Sequence, residues 1–169
     1  MEKKPFSSSL VGLILGLVSL VAFLAFYYTG KTFDKGGLSY IPMLLTVGLL
    51  IFFIIKYSND KDHDVTFGNC FGYGFKATAV MTLIVFVFSL VFVLLQPAYK
   101  QQFLDFMSSE MDKNPKVTEE QKESSLLAMD KFFLITVLGG GLFMNLMVGC
   151  IASLIGAAVA KKNPRPNPF

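Results

Sequence analysis

The sequence predicts an all-α integral membrane protein with four transmembrane helices, and three observations carry that reading. Of 169 residues, 53% are hydrophobic and 16% charged, with a mean hydropathy of +0.57, whereas a soluble domain carries about 25% charged residues. Four long runs are apolar and almost free of charge, and a helix needs about 20 such residues to cross roughly 30 Å of hydrocarbon. Between the third and fourth runs lies a polar segment with helical rather than random patterning. A lipid-exposed backbone must satisfy its own hydrogen bonds, so apolar runs of this length are helices.

The first span covers about residues 9–28 behind Lys3 and Lys4. Its apolar core exceeds the about 7 to 15 residues of a signal peptide, and Phe26, Tyr27, Tyr28 and Thr29 offer no small-x-small cleavage pattern, so it reads as a retained signal-anchor. The second span, about 40–55, is the shortest and places Pro42 in its first turn, where a missing N–H is harmless. The third runs over about 75–95 and the fourth over about 132–160. Residues 161–169, with Pro164, Pro166 and Pro168, read as a disordered, extended tail.

The segment 97–131 predicts an amphipathic helical hairpin. After Pro97, the residues Tyr99, Phe103, Phe106, Met107 and Met111 recur at three- and four-residue steps, opposite Lys100, Gln101, Asp105, Ser108 and Asp112. Asn114 and Pro115 break this helix. Thr118 with Gln121 three residues later forms a capping-box pattern, and Glu119 and Glu120 occupy the first turn, where the helix dipole favours acids. The second helix then carries Leu126, Leu127 and Met129 and reads without a breaker into the fourth span; the apolar faces are expected to pack on each other, through Leu126 and Met129, or on the membrane interface, with a docking surface for a partner as the alternative.

Four spans put both termini on one side. That side holds Lys3, Lys4, Lys56, Lys61, Lys76, Lys161, Lys162 and Arg165, against seven cations opposite, five of them in the long segment 96–131 among seven acids. Long segments weigh little in the positive-inside rule, so both termini are expected in the cytoplasm and the hairpin outside it, in a cytoplasmic (inner) membrane.

One face of the fourth span is small: Gly141, Asn145, Gly149, Ser153 and Ala157 recur every four residues. In the first span, Gly12 and Gly16 form a second such face, with Ser8 one turn earlier. Helices in lipid associate through close packing and interhelical hydrogen bonds, and small faces permit both. Packing within one bundle, a homo-oligomer or a foreign helix would each use them. Asn145 is the one strongly polar residue deep in a span, worth about 1 kcal/mol as interhelical glue.

Before the third span, Gly68, Gly72 and Gly74 superficially resemble a phosphate loop, but no strand precedes them and the G-x-x-x-x-G-K-[ST] order is absent. An interfacial helix start fits, with Phe67, Cys70, Phe71 and Phe75 on its apolar side and Tyr73 and Lys76 as a candidate lipid-headgroup contact. Asp60, Asp62, His63 and Asp64 read as a solvated loop, since the glycine and glutamate of a calcium loop are missing. Cys70 and Cys150 lack the spacing of a disulfide framework. With a single histidine and no paired buried carboxylates, no catalytic constellation assembles, so neither an enzyme nor a metal or cofactor site is expected. The net charge of +3, spread over every polar segment, gives no footprint for nucleic acid.

Taken in order, the stretch Thr66 to Lys76, the helix Gln102 to Asp112 with Thr118-Glu119-Glu120-Gln121 and Met129 after it, and the ending Gly149-Cys150-Ile151-Ala152-Ser153 closed by Lys161-Lys162 resemble the family catalogued as domain of unknown function 4199, found mainly in Bacteroidota. The resemblance covers essentially the whole chain. It implies a four-span inner-membrane protein with no assigned activity, and so carries over no catalytic or binding residue. The expected function is a non-enzymatic scaffold or accessory subunit of a cell-envelope complex, with membrane lipids and either a membrane protein or a second copy as partners. A small oligomeric transporter or lipid-handling protein is the alternative.

Overall fold

The computed structural model describes residues 5–33 and 36–164. Among them there is no strand and there are six α-helices: α1 Ser8–Tyr28, α2 Ile41–Asp60, α3 Phe67–Leu95, α4 Pro97–Asp112, α5 Glu119–Lys131 and α6 Gly140–Val159. A 3-10 turn, Gly37–Tyr40, leads into α2, and a π-helical turn, Ile135–Gly139, leads into α6. Four segments are long and apolar enough to cross a membrane: Ser8–Tyr28, Gly37–Asp60, Phe67–Leu95 and Ile135–Val159. The four-helix membrane character expected from the apolar runs is therefore present. Lys3, Lys4 and the end of the proline-rich tail, residues 165–169, lie outside the described residues.

Local chemistry explains the helix ends. The Ser7 side chain accepts from Leu10 N at 3.2 Å and caps α1, and Pro42 sits in the first turn of α2. The second helix runs past the expected residue 55 because Lys56 and Asp60, one turn apart, pair at 3.0 Å and carry charge along the helix. Thr66 accepts from Asn69 N at 3.2 Å, so α3 starts at Phe67 and absorbs the glycines before residue 75. The capping box of α5 is formed in both directions, Gln121 N to Thr118 Oγ1 at 3.3 Å and Thr118 N to Gln121 Oε1 at 3.2 Å.

One expectation is corrected. The second polar helix does not run unbroken into the fourth span: α5 ends at Lys131, Phe132 leaves the helical region at φ −105° and ψ 23°, and the wide turn Ile135–Gly139 intervenes. At the break Phe133 turns inward to 4% exposure, and the wide turn closes on Gly139, a residue of weak helix propensity, before α6 resumes the regular helix at Gly140.

The chain divides into two compact units, Met1–Val85 with Met144–Phe169, and Phe86–Phe143. The first packs α1, α2, the first part of α3 and most of α6 around Val11, Leu15, Leu50, Ile54, Cys70, Ala77 and Ala152. Glycine sets how closely these helices approach. A methyl group on Gly12 of α1 would lie 2.6 Å from the Ala77 carbonyl oxygen of α3; on Gly74 of α3, 2.6 Å from Ile54 Cδ1 of α2 and 2.7 Å from Ser153 Oγ of α6; on Gly149 of α6, 2.6 Å from Thr78 Oγ1. Ile54 thus sits between Gly74 and Gly156, whose added methyl would meet the same Cδ1 at 2.7 Å. The buried Thr78 and Thr82 hydroxyls have no hydrogen-bond partner among the described residues.

The second unit holds α4 and α5. An aromatic cluster ties it together: Tyr99 meets Phe92 at 5.6 Å and Phe133 at 6.5 Å between ring centroids, and Phe103 meets Phe133 at 5.6 Å. Burial pushes the Tyr99 hydroxyl pKa up. Lys100 pairs with Asp130 at 2.8 Å, and Lys122 with Asp112. The hydrogen bond to Asp112 holds the Lys122 ammonium above its ordinary pKa.

The glycine contacts make a sharp expectation. Gly149→Ala forces Thr78 aside and should lower the melting temperature in detergent, overpacking of this kind costing about 1 to 3 kcal/mol. Gly141→Ala, with nothing within 4 Å of the new methyl, should leave it unchanged or raise it, as measured by thermal unfolding of both variants in one detergent.

Candidate functional site

The residues singled out for packing or partner contact divide into two groups. Gly12, Gly16, Gly149, Ser153 and Ala157 are all buried inside the first unit. Gly12 and Gly16 receive Val80 and Ile84 of α3, Gly149 receives Thr78, and Ser153 stands against Gly74 while donating to Gly149 O at 2.7 Å. Their small faces are filled by helices of the same chain. Gly141 is exposed with open space around it, and Asn145 is half-buried one turn further along α6. Tyr73 and Lys76 also part company: Tyr73 is buried, stacked on Tyr57 at 4.2 Å and donating to Phe6 O at 3.0 Å, whereas Lys76 is exposed.

A polar knot closes one end of the first unit. The turn after α2 takes Asp62 and His63 through φ 50° and 64°, a left-handed backbone that side chains with a Cβ adopt at a cost. It is held by His63 N donating to Ser58 O at 2.9 Å and by Asn163 N donating to His63 O at 2.7 Å. The Ser58 hydroxyl, fully buried, donates to Lys161 O and lies 3.3 Å from His63 Nδ1. Lys162 Nζ reaches back to the carbonyls of Ala157 at 2.6 Å, Ala158 at 3.1 Å and Ala160 at 2.7 Å, satisfying the open end of α6. Lys161 to Asn163, which composition alone assigns to the extended tail, are therefore strapped to the α2–α3 turn. His63 serves as a piece of this knot, a role its polar neighbours in sequence did not suggest.

The second unit contains the open concave surface that the sequence did not reveal. Between α4 and α5 lies a groove of about 530 Å³. Its apolar wall is Leu104, Leu126 and Leu127, and its polar wall includes Asp105, Glu119, Glu123, Lys122 and Asp130. Leu127 is 65% exposed, and no residue of α5 is buried. The signal available in the sequence was the pairing of an apolar stripe on the first polar helix with an acid-rich second helix; the register that brings Leu104 opposite Leu126 was not. The groove can bind, through apolar contact under a net negative rim.

The knot gives a test of its own. Asp62→Gly should hold or raise the melting temperature by removing a strained Cβ. Ser58→Ala should lower it, at a cost of about 0.5 to 1.5 kcal/mol, because it removes the hydrogen bond to Lys161 O from the fully buried Ser58 position, and both effects are read by thermal unfolding in detergent.

No curated protein and no solved structure matches the chain. A family match does exist over residues 10–162, a stretch that takes in α1 from Leu10, all the later helices and the strap as far as Lys162. The order of motifs along the sequence and the extent of that match agree, and the chain belongs to the family described as Protein of unknown function, DUF4199.

Proposed function

We propose that this protein is a non-enzymatic scaffold or accessory subunit of the cytoplasmic membrane, serving a cell-envelope complex. Both termini lie in the cytoplasm, and α4 and α5 form a hairpin outside it that presents the groove to a membrane-protein partner. The observation that carries the reading is Leu127, an apolar side chain 65% exposed in a groove outside the four spanning segments. An exposed leucine alone is ordinary, but one set between further leucines in a concave wall has the make-up of an interface centre. Asp105, Glu119 and Glu123 at the rim favour a partner helix that carries basic residues.

A second reading, a small oligomeric transporter or lipid-handling protein, is favoured by one feature. The fourth spanning segment begins with a π-helical turn and three glycines, Gly139, Gly140 and Gly141, each with open space around it. Interrupted helices in spans often mark substrate sites. Gly139 to Gly141 lie one to two turns before Asn145, the single amide of that span.

Two measurements test the first reading. Single cysteines at the exposed positions Asn59 and Ser109, in a background lacking Cys70 and Cys150, should differ towards an impermeant thiol reagent in intact spheroplasts, with Ser109→Cys labelled and Asn59→Cys silent; the reverse pattern inverts the topology. Leu127→Arg should abolish co-purification of the partner from native membranes without changing the melting temperature in detergent. Unchanged co-purification would remove the groove from the interface.

A further inference from the structure

A second cleft in the same unit has the opposite electrostatic character. It encloses about 510 Å³, within the range of about 300 to 1,000 Å³ usual for small-molecule sites. Its apolar walls are Val93 and Leu94 from the last turn of α3 and Leu134 and Ile135 just before α6; its charged rim is Lys100, Asp130 and Lys131. Leu94 and Ile135 are 65% and 71% exposed.

Position and charge together identify an occupant. The third spanning segment ends at Leu95 and the fourth begins at Ile135, so the apolar walls belong to the ends of two spans and the lysines to the first polar turns beyond them. That is the level of lipid headgroups, where lysines contact phosphates and apolar stems stay in the acyl region. Lys100 is shared with Asp130 at 2.8 Å, while Lys131 has no carboxylate partner among the described residues. The mouth therefore keeps one uncompensated positive charge. Both ammonium groups stand over rings at the cleft, Lys100 Nζ 5.9 Å from the centroid of Phe133 and Lys131 Nζ 5.6 Å from that of Phe132. The α4–α5 groove, with more acids than lysines, would repel the same ligand.

We propose that this cleft binds an anionic phospholipid of the bilayer, its phosphate between Lys100 and Lys131 and its chains along Leu94 and Ile135. Asp130 competes with the phosphate for Lys100. The proposal does not depend on a protein partner at the groove.

The test uses the full chain purified in dodecyl maltoside, titrated with phosphatidylglycerol, with phosphatidylcholine of the same acyl chains and with inorganic phosphate. Phosphatidylglycerol should raise the melting temperature and remain bound in native mass spectrometry; the other two should do neither. Lys131→Gln and Lys100→Gln should each weaken retention about fivefold, from roughly 1 kcal/mol per juxtamembrane lysine. Asp130→Asn should retain the lipid at least as well as the parent, although it removes an ion pair, and Lys113→Gln at the far end of α4 should change nothing. Equal retention of phosphatidylcholine, an equal shift with inorganic phosphate, or undiminished phosphatidylglycerol binding in the double lysine variant would each overturn the proposal.

Discussion

Lipid gives apolar helices no solvent-driven reason to associate, because acyl chains are as apolar as leucine; contact must come from how closely backbones approach. The first unit depends on that constraint throughout. Gly12, Gly74 and Gly149 bring α1, α2 and α6 against α3 at distances where even a methyl would overlap a neighbour. Around these approaches the branched side chains of Val11, Leu15, Leu50 and Ile54 fill the remaining space. Among the described residues the buried Thr78 and Thr82 hydroxyls have no hydrogen-bond partner, and Thr78 is the side chain that Gly149 receives.

The spans were legible because the bilayer imposes one rule on every backbone group, and the rule writes itself into sequence as long uncharged runs. Their ends were less so. Composition stopped the second span at residue 55 because Lys56 looks like a boundary, whereas an ion pair with Asp60 lets the helix continue. The third span is placed from residue 75 with Gly68, Gly72 and Gly74 in an interfacial helix start before it; α3 runs unbroken from Phe67, and Gly74 is a packing position inside it. The break at Phe132 was invisible for a tertiary reason: Phe133 leaves the α5 line to join Phe103 and Tyr99.

Candidate sites divided along the same line. Small-residue periodicity is a local signal, and the positions it picked out in α1 and α6 are packing positions, with Gly141 and Asn145 the two it placed away from the buried core. The groove and the cleft of the second unit require two helices in register, and no pattern on one strand of sequence encodes that. Even so, their ingredients were present: apolar residues at helical steps in α4, acids at the start of α5, and lysines flanking the polar segment. The polar knot around Ser58 and His63 was least legible, since it joins residues about a hundred positions apart through main-chain atoms.

The first unit is built from two stretches that synthesis makes far apart in time. Residues up to Val85 emerge early, the whole of Phe86–Phe143 follows, and only then does α6 arrive with Gly149 and Ser153. Until that last helix arrives, Thr78 lacks the Gly149 backbone that packs against it and Gly74 is covered by Ile54 of α2 without Ser153 of α6. Because loop closure becomes only slowly costlier with length, the long intervening segment delays this closure more than it opposes it.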